Sequence, residues 1–244
     1  VAEVSIIVPV LNEARCLGRT LWCLQRLEPP VKEIMVVDGG STDETIAIAQ
    51  SFPVTVLTAP QRGRAAQMNY GAEQATGDIV CFVHGDTLVP DDLVALVRKT
   101  LADPAIAGGG FIAIMAGDTT TRWGISLHNS LKTHYAALLF RPRRYFRDGL
   151  RVLFGDQVIF CRRADFWACG SFDTTLPIME DADLCDRLAR RGRIVQVNRL
   201  VQSSDRRVAQ WGALKANFIY LAIGLLWGLG VPASRLKQFY EDVR

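Results

Sequence analysis

From Val4 to about Met115 the chain alternates short apolar or β-branched runs with longer segments whose apolar positions recur at helical spacing. The runs cover Val4 to Val10, Glu33 to Val37, Val54 to Leu57, Asp78 to Val83 and Gly109 to Met115, and they are nearly continuous in apolar character. A strand covered by helices on both faces loses the in-and-out alternation of a half-exposed strand, so this pattern predicts βαβ units on a mostly parallel sheet. Ser41-Thr42-Asp43-Glu44 reads as a capping box opening the second helix. Pro90-Asp91-Asp92 supplies the early proline and acidic residues expected at the start of the fourth.

After Met115 the pattern changes. A helix is expected from about Thr121 to Phe140, then a basic turn from Arg141 to Arg151, a short strand from Val158 to Cys161 and a Gly-rich connection from Cys169 to Phe172. A helix from about Asp181 to Arg191 and a strand from Ile194 to Val197 follow. No low-complexity linker interrupts this order, so residues 1–200 read as one α/β domain and residues 201–244 as a helical C-terminal extension. Within the extension, Ala216 to Ser234 is a run of 19 uncharged residues, close to the ~20 of a spanning helix. Asn217, three glycines and Pro232 interrupt it, while Lys215, Arg235 and Lys237 flank it. It reads as a helix buried at a dimer contact or against the domain, or as a segment lying at a membrane interface.

The composition narrows the class without naming it. With 244 residues, 49% hydrophobic and 22% charged, the chain is long enough to bury roughly 70 to 75% of its unfolded surface, which excludes disorder. Its 28 basic against 25 acidic residues leave a charge of +3, too small for a bulk nucleic-acid binder, so any polyanion contact is local. The six cysteines form no C-x-x-C pair, which points to a reducing compartment. The opening VAEVSIIVPV has neither a basic n-region nor a small-residue cleavage site. A cytoplasmic protein is expected, with the inner face of a membrane as the place where the apolar tail would act.

In an open parallel sheet, ligands bind outside the carboxyl ends of the strands. Pro9, Asn12 and Glu13 follow the first apolar run, Asp38 follows IMVV and Asp86 follows IVCFVHG, so these polar groups fall along one crevice. Gly39, Gly40 and Gly85 let the backbone approach a ligand there, which describes a nucleotide-sized site. No G-x-G-x-x-G follows the first strand, and neither a P-loop nor a G-x-S-x-G element occurs. Dinucleotide oxidoreductases, P-loop enzymes and serine hydrolases therefore fall away, leaving carboxylates and a metal.

The ordered set SIIVPVLNEA (Ser5 to Ala14), VVDGGSTDET (Val36 to Thr45), FVHGDT (Phe82 to Thr87) and MEDADL (Met179 to Leu184) resembles the family 2 glycosyltransferases of GT-A fold. RGRAAQMNYGA (Arg62 to Ala72), FGDQVIF (Phe154 to Phe160) and SSDRR (Ser203 to Arg207) resemble a bacterial, non-processive subgroup. The resemblance implies a Rossmann-like, mostly parallel mixed sheet with helices on both faces. It also implies an inverting, metal-dependent transfer of a sugar from a UDP- or GDP-type donor to a hydroxyl, hexosyl transfer being the expected class. The chemistry fits the residue types: the leaving diphosphate gains negative charge and the attacking hydroxyl must lose a proton. By resemblance, Asp86 holds Mn²⁺ or Mg²⁺, Asp181 is the general base and Glu180 orients the acceptor or Asp181.

The same resemblance has Pro9, Asn12 and Glu13 line the base and ribose end, with Asp38 accepting a hydrogen bond there and Asp156 lying near the acceptor or sugar. Arg62 and Arg64 precede a helix and either face the diphosphate or form a solvated basic turn. Arg206 and Arg207 stand where processive relatives carry Q-x-x-R-W, and either clamp the diphosphate from a closing segment or are solvated. His84 departs from the family's acidic first metal-motif residue; it is a weak ligand or a satisfied loop histidine. Two other readings stay open. One is a nucleotidyltransferase with a similar nucleotide site; the other is a catalytically silent nucleotide-sugar-binding or membrane scaffold protein. The acceptor is unidentified; the apolar tail favours a lipid-linked one, and a homodimer is the alternative use of that tail.

Overall fold

The computed structural model describes residues 1–117 and 120–239. In chain order the elements are β1 (Val4–Val10), α1 (Leu17–Leu24), β2 (Glu33–Asp38), α2 (Thr45–Gln50), β3 (Thr55–Thr58), α3 (Arg64–Gln74), β4 (Ile79–Phe82), β5 (Thr87–Leu88), α4 (Leu93–Leu101) and β6 (Ile106–Ala116). They continue with α5 (Trp123–Phe140), α6 (Pro142–Arg147), β7 (Phe160–Arg162), α7 (Arg163–Ala168), α8 (Glu180–Leu188), β8 (Arg193–Ser204), α9 (Arg206–Trp211), α10 (Ala213–Gly228) and α11 (Ala233–Leu236). One eight-stranded sheet runs in the order β3-β2-β1-β4-β7-β6-β8-β5.

The first four β/α units form as their apolar runs require. β1 pairs parallel with β2 and β4, and β2 with β3. Every residue of β1 is buried, because its alternate side chains enter two cores. Val4, Ile6, Val8 and Val10 pack with α1 and α4, while Ile7 packs with α3 and α8.

The second half departs from simple β/α alternation. β7 enters antiparallel between β4 and β6, so the fifth apolar run does not extend the parallel series directly. β8 is longer than its apolar stretch predicts, because its backbone continues pairing with β6 and β5 through Gln202 and Ser203 after the hydrophobic pattern has stopped at Val197. The strand ends at Ser204, so its last four residues fall within the 201–244 segment. The basic stretch after Phe140 contains the helix α6, opened by Pro142 in its first turn. The expected capping box is not used: α2 starts at Thr45, and Asp43 accepts from the Thr45 and Ala14 amides, tying the loops after β1 and β2 together.

α5 and α10 pack together over the carboxyl end of the sheet. α10 is apolar on all sides yet buries only Ala216 and Ile223, leaving Leu214, Phe218, Leu221 and Leu225 exposed, with Leu229 exposed just after its end. α5 exposes Trp123, Leu127, Leu131 and Leu139. Among the described residues, no helix is long and apolar enough to cross a membrane.

One glycine fixes the α3 layer. A Cβ on Gly71 would lie 2.5 Å from Ile7 Cγ2 and 3.0 Å from Val37 Cγ2, so α3 sits directly on β1 and β2. Gly71→Ala gains about 1 kcal/mol of helix propensity but overpacks a filled interface, costing about 1 to 3 kcal/mol. We expect a net loss of stability in denaturant unfolding; a more stable variant would mean that the helix does not rest this closely on the sheet.

Candidate active site

A cleft of about 730 Å³ opens across the carboxyl ends of β1 and β4 and beneath α5 and α10. Pro9, Asn12 and Glu13 reach it from β1, Asp86 from β4, and Arg62 and Arg64 from the start of α3. Asp156 comes from a 3-10 turn over Gly155–Gln157, Glu180 and Asp181 from the start of α8, and Arg206 and Arg207 from the start of α9. Asp38 is the exception among the residues expected there. It is buried within its own loop, where its carboxylate accepts from the Gly40 amide at 2.8 Å and the Ser41 amide at 3.1 Å, and it does not line the cleft. Asn12, in a left-handed conformation (φ 56°), braces the same loop by accepting from the Thr42 amide at 2.8 Å.

Two guanidinium groups organise the charges, each spanning two carboxylates. Arg64 donates from Nε to Glu180 Oε1 at 2.7 Å and from Nη2 to Asp181 Oδ2 at 2.8 Å. Arg206 donates from Nη2 to Glu13 Oε2 at 2.6 Å and to Asp86 Oδ2 at 3.1 Å. The arginines therefore face protein carboxylates in this state, a refinement of the expectation that they meet only a diphosphate or solvent. Arg207 lies over the Trp211 ring, 5.9 Å from its centroid. Arg62 is exposed at the cleft edge.

Glu180 and Asp181 are each only 4% exposed. They begin α8, where the helix dipole favours carboxylates, but burial outweighs that. Loss of solvent pushes Asp181 up to about 7; Arg64 opposes the rise and Glu180 adds to it. Asp181 Oδ2 also accepts from the Gly155 amide at 2.9 Å, while Oδ1 and Glu180 Oε2 are buried and accept no hydrogen bond among the described residues. Met179, the residue before this pair, is left-handed (φ 70°), a strained backbone that aims the start of α8 at the cleft. Glu13 is likewise raised to about 7 by burial and by the charge of Asp86, with Arg206 pulling it down.

Gly155 is required by close approach. A Cβ there would fall 2.3 Å from His84 Nε2 and 3.1 Å from Asp181 Oδ2. His84 Nε2 lies 3.3 Å from Arg64 Nη1, and burial with the charges of Arg64 and Arg207 holds the ring neutral, well below the usual histidine range. Among the described residues no group of three or more His, Cys, Asp or Glu side chains has metal-holding geometry.

Sequence reasoning missed the wall that α5 contributes. Asn129 Nδ2 donates to Asp156 Oδ2 at 3.0 Å, and Lys132 stands one turn further along the same helix face. Asn129, Lys132 and Thr133, at i, i+3 and i+4 on one face of the helix, were the available signal.

Residues 5–168 match Glycosyl transferase family 2. The pre-mycofactocin glycosyltransferase of Mycobacterium tuberculosis is 26% identical over 223 residues, covering 88% of this chain and 45% of that protein. A PGL/p-HBAD biosynthesis glycosyltransferase of Mycobacterium bovis is 28% identical over 186 residues, 73% of this chain and 66% of that protein. The chain thus spans about half to two thirds of these relatives. A mannosyltransferase from Pyrobaculum calidifontis, solved with GDP-Man and Mn²⁺, superposes with a TM-score of 0.71 at 21% identity, covering 99% of this chain and 65% of that one. Glucosyl-3-phosphoglycerate synthase from Mycobacterium tuberculosis, solved with Mn²⁺, UDP and phosphoglyceric acid, gives 0.66 at 22% identity, covering 95% and 80%. Both share the fold described above.

The raised Asp181 carboxyl has a stability consequence. Its proton is held more tightly in the folded than in the unfolded chain, so its contribution is present below its ordinary 3.8 and is lost as pH rises toward about 7. Asp181→Asn removes that loss. Thermal unfolding across pH should show the variant's gain over the parent growing from pH ~4 and levelling off above pH ~7; a difference independent of pH contradicts the buried-carboxyl account.

Proposed function

Because the chain belongs to glycosyl transferase family 2, we propose that it transfers a sugar, with inversion, from a UDP- or GDP-type nucleotide sugar to an acceptor hydroxyl. The observation that carries this reading is the facing of two Arg-bridged carboxylate pairs across one cleft, Glu13–Arg206–Asp86 and Glu180–Arg64–Asp181. The first suits a nucleoside diphosphate and its cation, the second an acceptor. Pro9 and Asn12 line the nucleotide end, and Arg62 and Arg207 supply further positive charge toward the phosphates. Asp38 supports the nucleotide loop from behind.

In this reading the acceptor oxygen bonds to the anomeric carbon as the bond from that carbon to the diphosphate oxygen breaks. The hydroxyl proton passes to Asp181. Oδ2 is held by Arg64 and the Gly155 amide, so the carboxylate is fixed in orientation, while the buried Oδ1 accepts no hydrogen bond among the described residues. A base poised near pH 7 is ionised often enough to accept a proton and basic enough to be useful. One displacement without a protein nucleophile inverts the anomeric centre. Glu180 shares Arg64 with Asp181 and thereby orients it.

The residues fit a divalent cation of the Mn²⁺ or Mg²⁺ type. Asp86 and Glu13 bring hard oxygen donors to a strand end beside each other, and such ions take one or two protein carboxylates with the rest of the shell from phosphate and water. Asp86 is the protein ligand in this account, with Arg206 neutralising the pair in the ion's absence. When bound, the cation supplies Lewis-acid stabilisation of the leaving diphosphate.

We divide the chain functionally into residues 1–200, the transferase domain, and 201–244, an extension whose exposed apolar residues on α10, beside those of α5, favour work at the inner face of a cytoplasmic membrane or contact with a second copy. An acceptor presented at that surface, such as a lipid-linked hydroxyl, fits the same features.

Calorimetric titration of UDP, GDP, CDP, dTDP and ADP, each with and without Mn²⁺, tests the proposal together with diphosphate release from the matching sugars. One diphosphate should bind in a Mn²⁺-dependent way and lose at least about tenfold in Asp86→Ala. Asp181→Asn should keep that binding and lose about 10²- to 10⁴-fold in turnover. No binding by any of the five would favour a silent scaffold, and full turnover in Asp181→Asn would remove the base.

A further inference from the structure

The helices that roof the cleft also border a narrow, mostly apolar groove of about 30 Å³ that shares wall residues with it. Tyr135, Ala136, Val152, Leu225 and Trp227 line the groove together with the charged Arg141 and Asp186, while Lys132, Phe154, Met179, Tyr220 and Gly224 line both groove and cleft. Phe154 and Met179 are the chain neighbours of Gly155 and Glu180. The groove therefore opens beside Asp181, at the acceptor end, and away from Asp86. Gly224 of α10 belongs to its wall, and a Cβ built there meets no heavy atom within 4 Å. From the groove, the apolar surface continues onto the exposed Leu221 and Leu225.

Lys132 stands at the junction. It is only 8% exposed, and its ammonium lies 3.7 Å from the centroid of the Phe154 ring and 5.5 Å from that of Tyr220. Those ring faces attract the charge, but its N–H groups donate to none of the described residues. A buried ammonium ordinarily has oxygen acceptors. Asp156 is the nearby acidic group, and its Oδ2 already accepts from Asn129. Burial draws Lys132 down to about 8 and pushes Asp156 up, so Asp156 is a weakened counter-ion for it. A cation held at the mouth of an apolar groove, next to a candidate base, is complementary to an anion carried on an apolar body.

We infer that the acceptor is an anionic amphiphile: its hydroxyl meets Asp181, its phosphate or carboxylate pairs with Lys132, and its hydrocarbon chain runs from the mouth of the groove along the exposed Leu221 and Leu225 of α10. This deepens the transferase reading, on which the hydroxyl's fate depends, whereas the binding of such a molecule can be measured without turnover.

The probe is dodecyl phosphate, titrated calorimetrically below its micellar concentration into the intact chain, with butyl phosphate and the neutral dodecyl maltoside for comparison. Dodecyl phosphate should bind at least about tenfold more tightly than butyl phosphate, since the longer chain buries more apolar surface. Leu225→Ser makes the groove wall polar at a residue outside the cleft and should sharply reduce that advantage while nucleoside diphosphate binding stays intact. Lys132→Gln should weaken dodecyl phosphate at least about tenfold yet leave dodecyl maltoside unchanged, which separates loss of the cation from loss of the fold. Equal affinity for the two phosphates, or dodecyl phosphate binding indifferent to both substitutions, overturns the inference. Binding as expected without diphosphate release from any nucleotide sugar would overturn the transferase reading and leave the amphiphile site standing.

Discussion

Five carboxylates line the cleft, and the arrangement depends on how two arginines hold four of them. Glu13 and Asp86 share Arg206, and Glu180 and Asp181 share Arg64. Without those bridges, like charges at the ends of β1, β4 and α8 would repel one another in a site largely withdrawn from water. The bridges do not fully compensate. Burial still raises Glu13 and Asp181 to about 7, the imbalance on which the proposed cation site and proton transfer rest.

The fold supplies the convergence. Parallel pairing of β1, β2 and β4 aligns their carboxyl ends, and β7, inserted antiparallel beside β4, is preceded by the 3-10 turn that brings Gly155 against His84 and Asp181. That contact leaves no room for a side chain, so the backbone amide of Gly155 can fix Asp181 Oδ2 directly. α5 and α10 then close the cleft from above, and their exposed apolar side chains give the acceptor end a different chemical character from the nucleotide end.

Much of this was legible in the residues. Near-continuous apolar runs predicted β1 to β4, the rule for strand ends brought Glu13 and Asp86 to one crevice, and the ordered motifs pointed to the family that residues 5–168 match. What was not legible depends on distance. Arg64 meets Asp181 across 117 positions and Arg206 meets Glu13 across 193, and no local pattern encodes such pairs. Asp38 looked like a ligand residue because it ends a strand, yet the amides of Gly40 and Ser41 occupy it. Ser41 to Glu44 had the composition of a capping box, but Asp43 was drawn into bracing two loops. Lys132 and Asn129 sit among other polar residues of α5, Ser126, His128, Ser130 and His134, and the sequence does not say which of these face the cleft.

The most direct test of the account is the titration of Asp181 itself. Carbon-13 NMR of aspartate-labelled protein, compared with the Asp181→Asn variant, reports each carboxyl's protonation. The account predicts a carboxyl resonance that titrates near pH 7 in the parent chain and is missing from the variant. If the resonance lost in the variant instead titrates in the ordinary aspartate range near pH ~4, Asp181 is not the buried, raised base on which the proposed transfer depends.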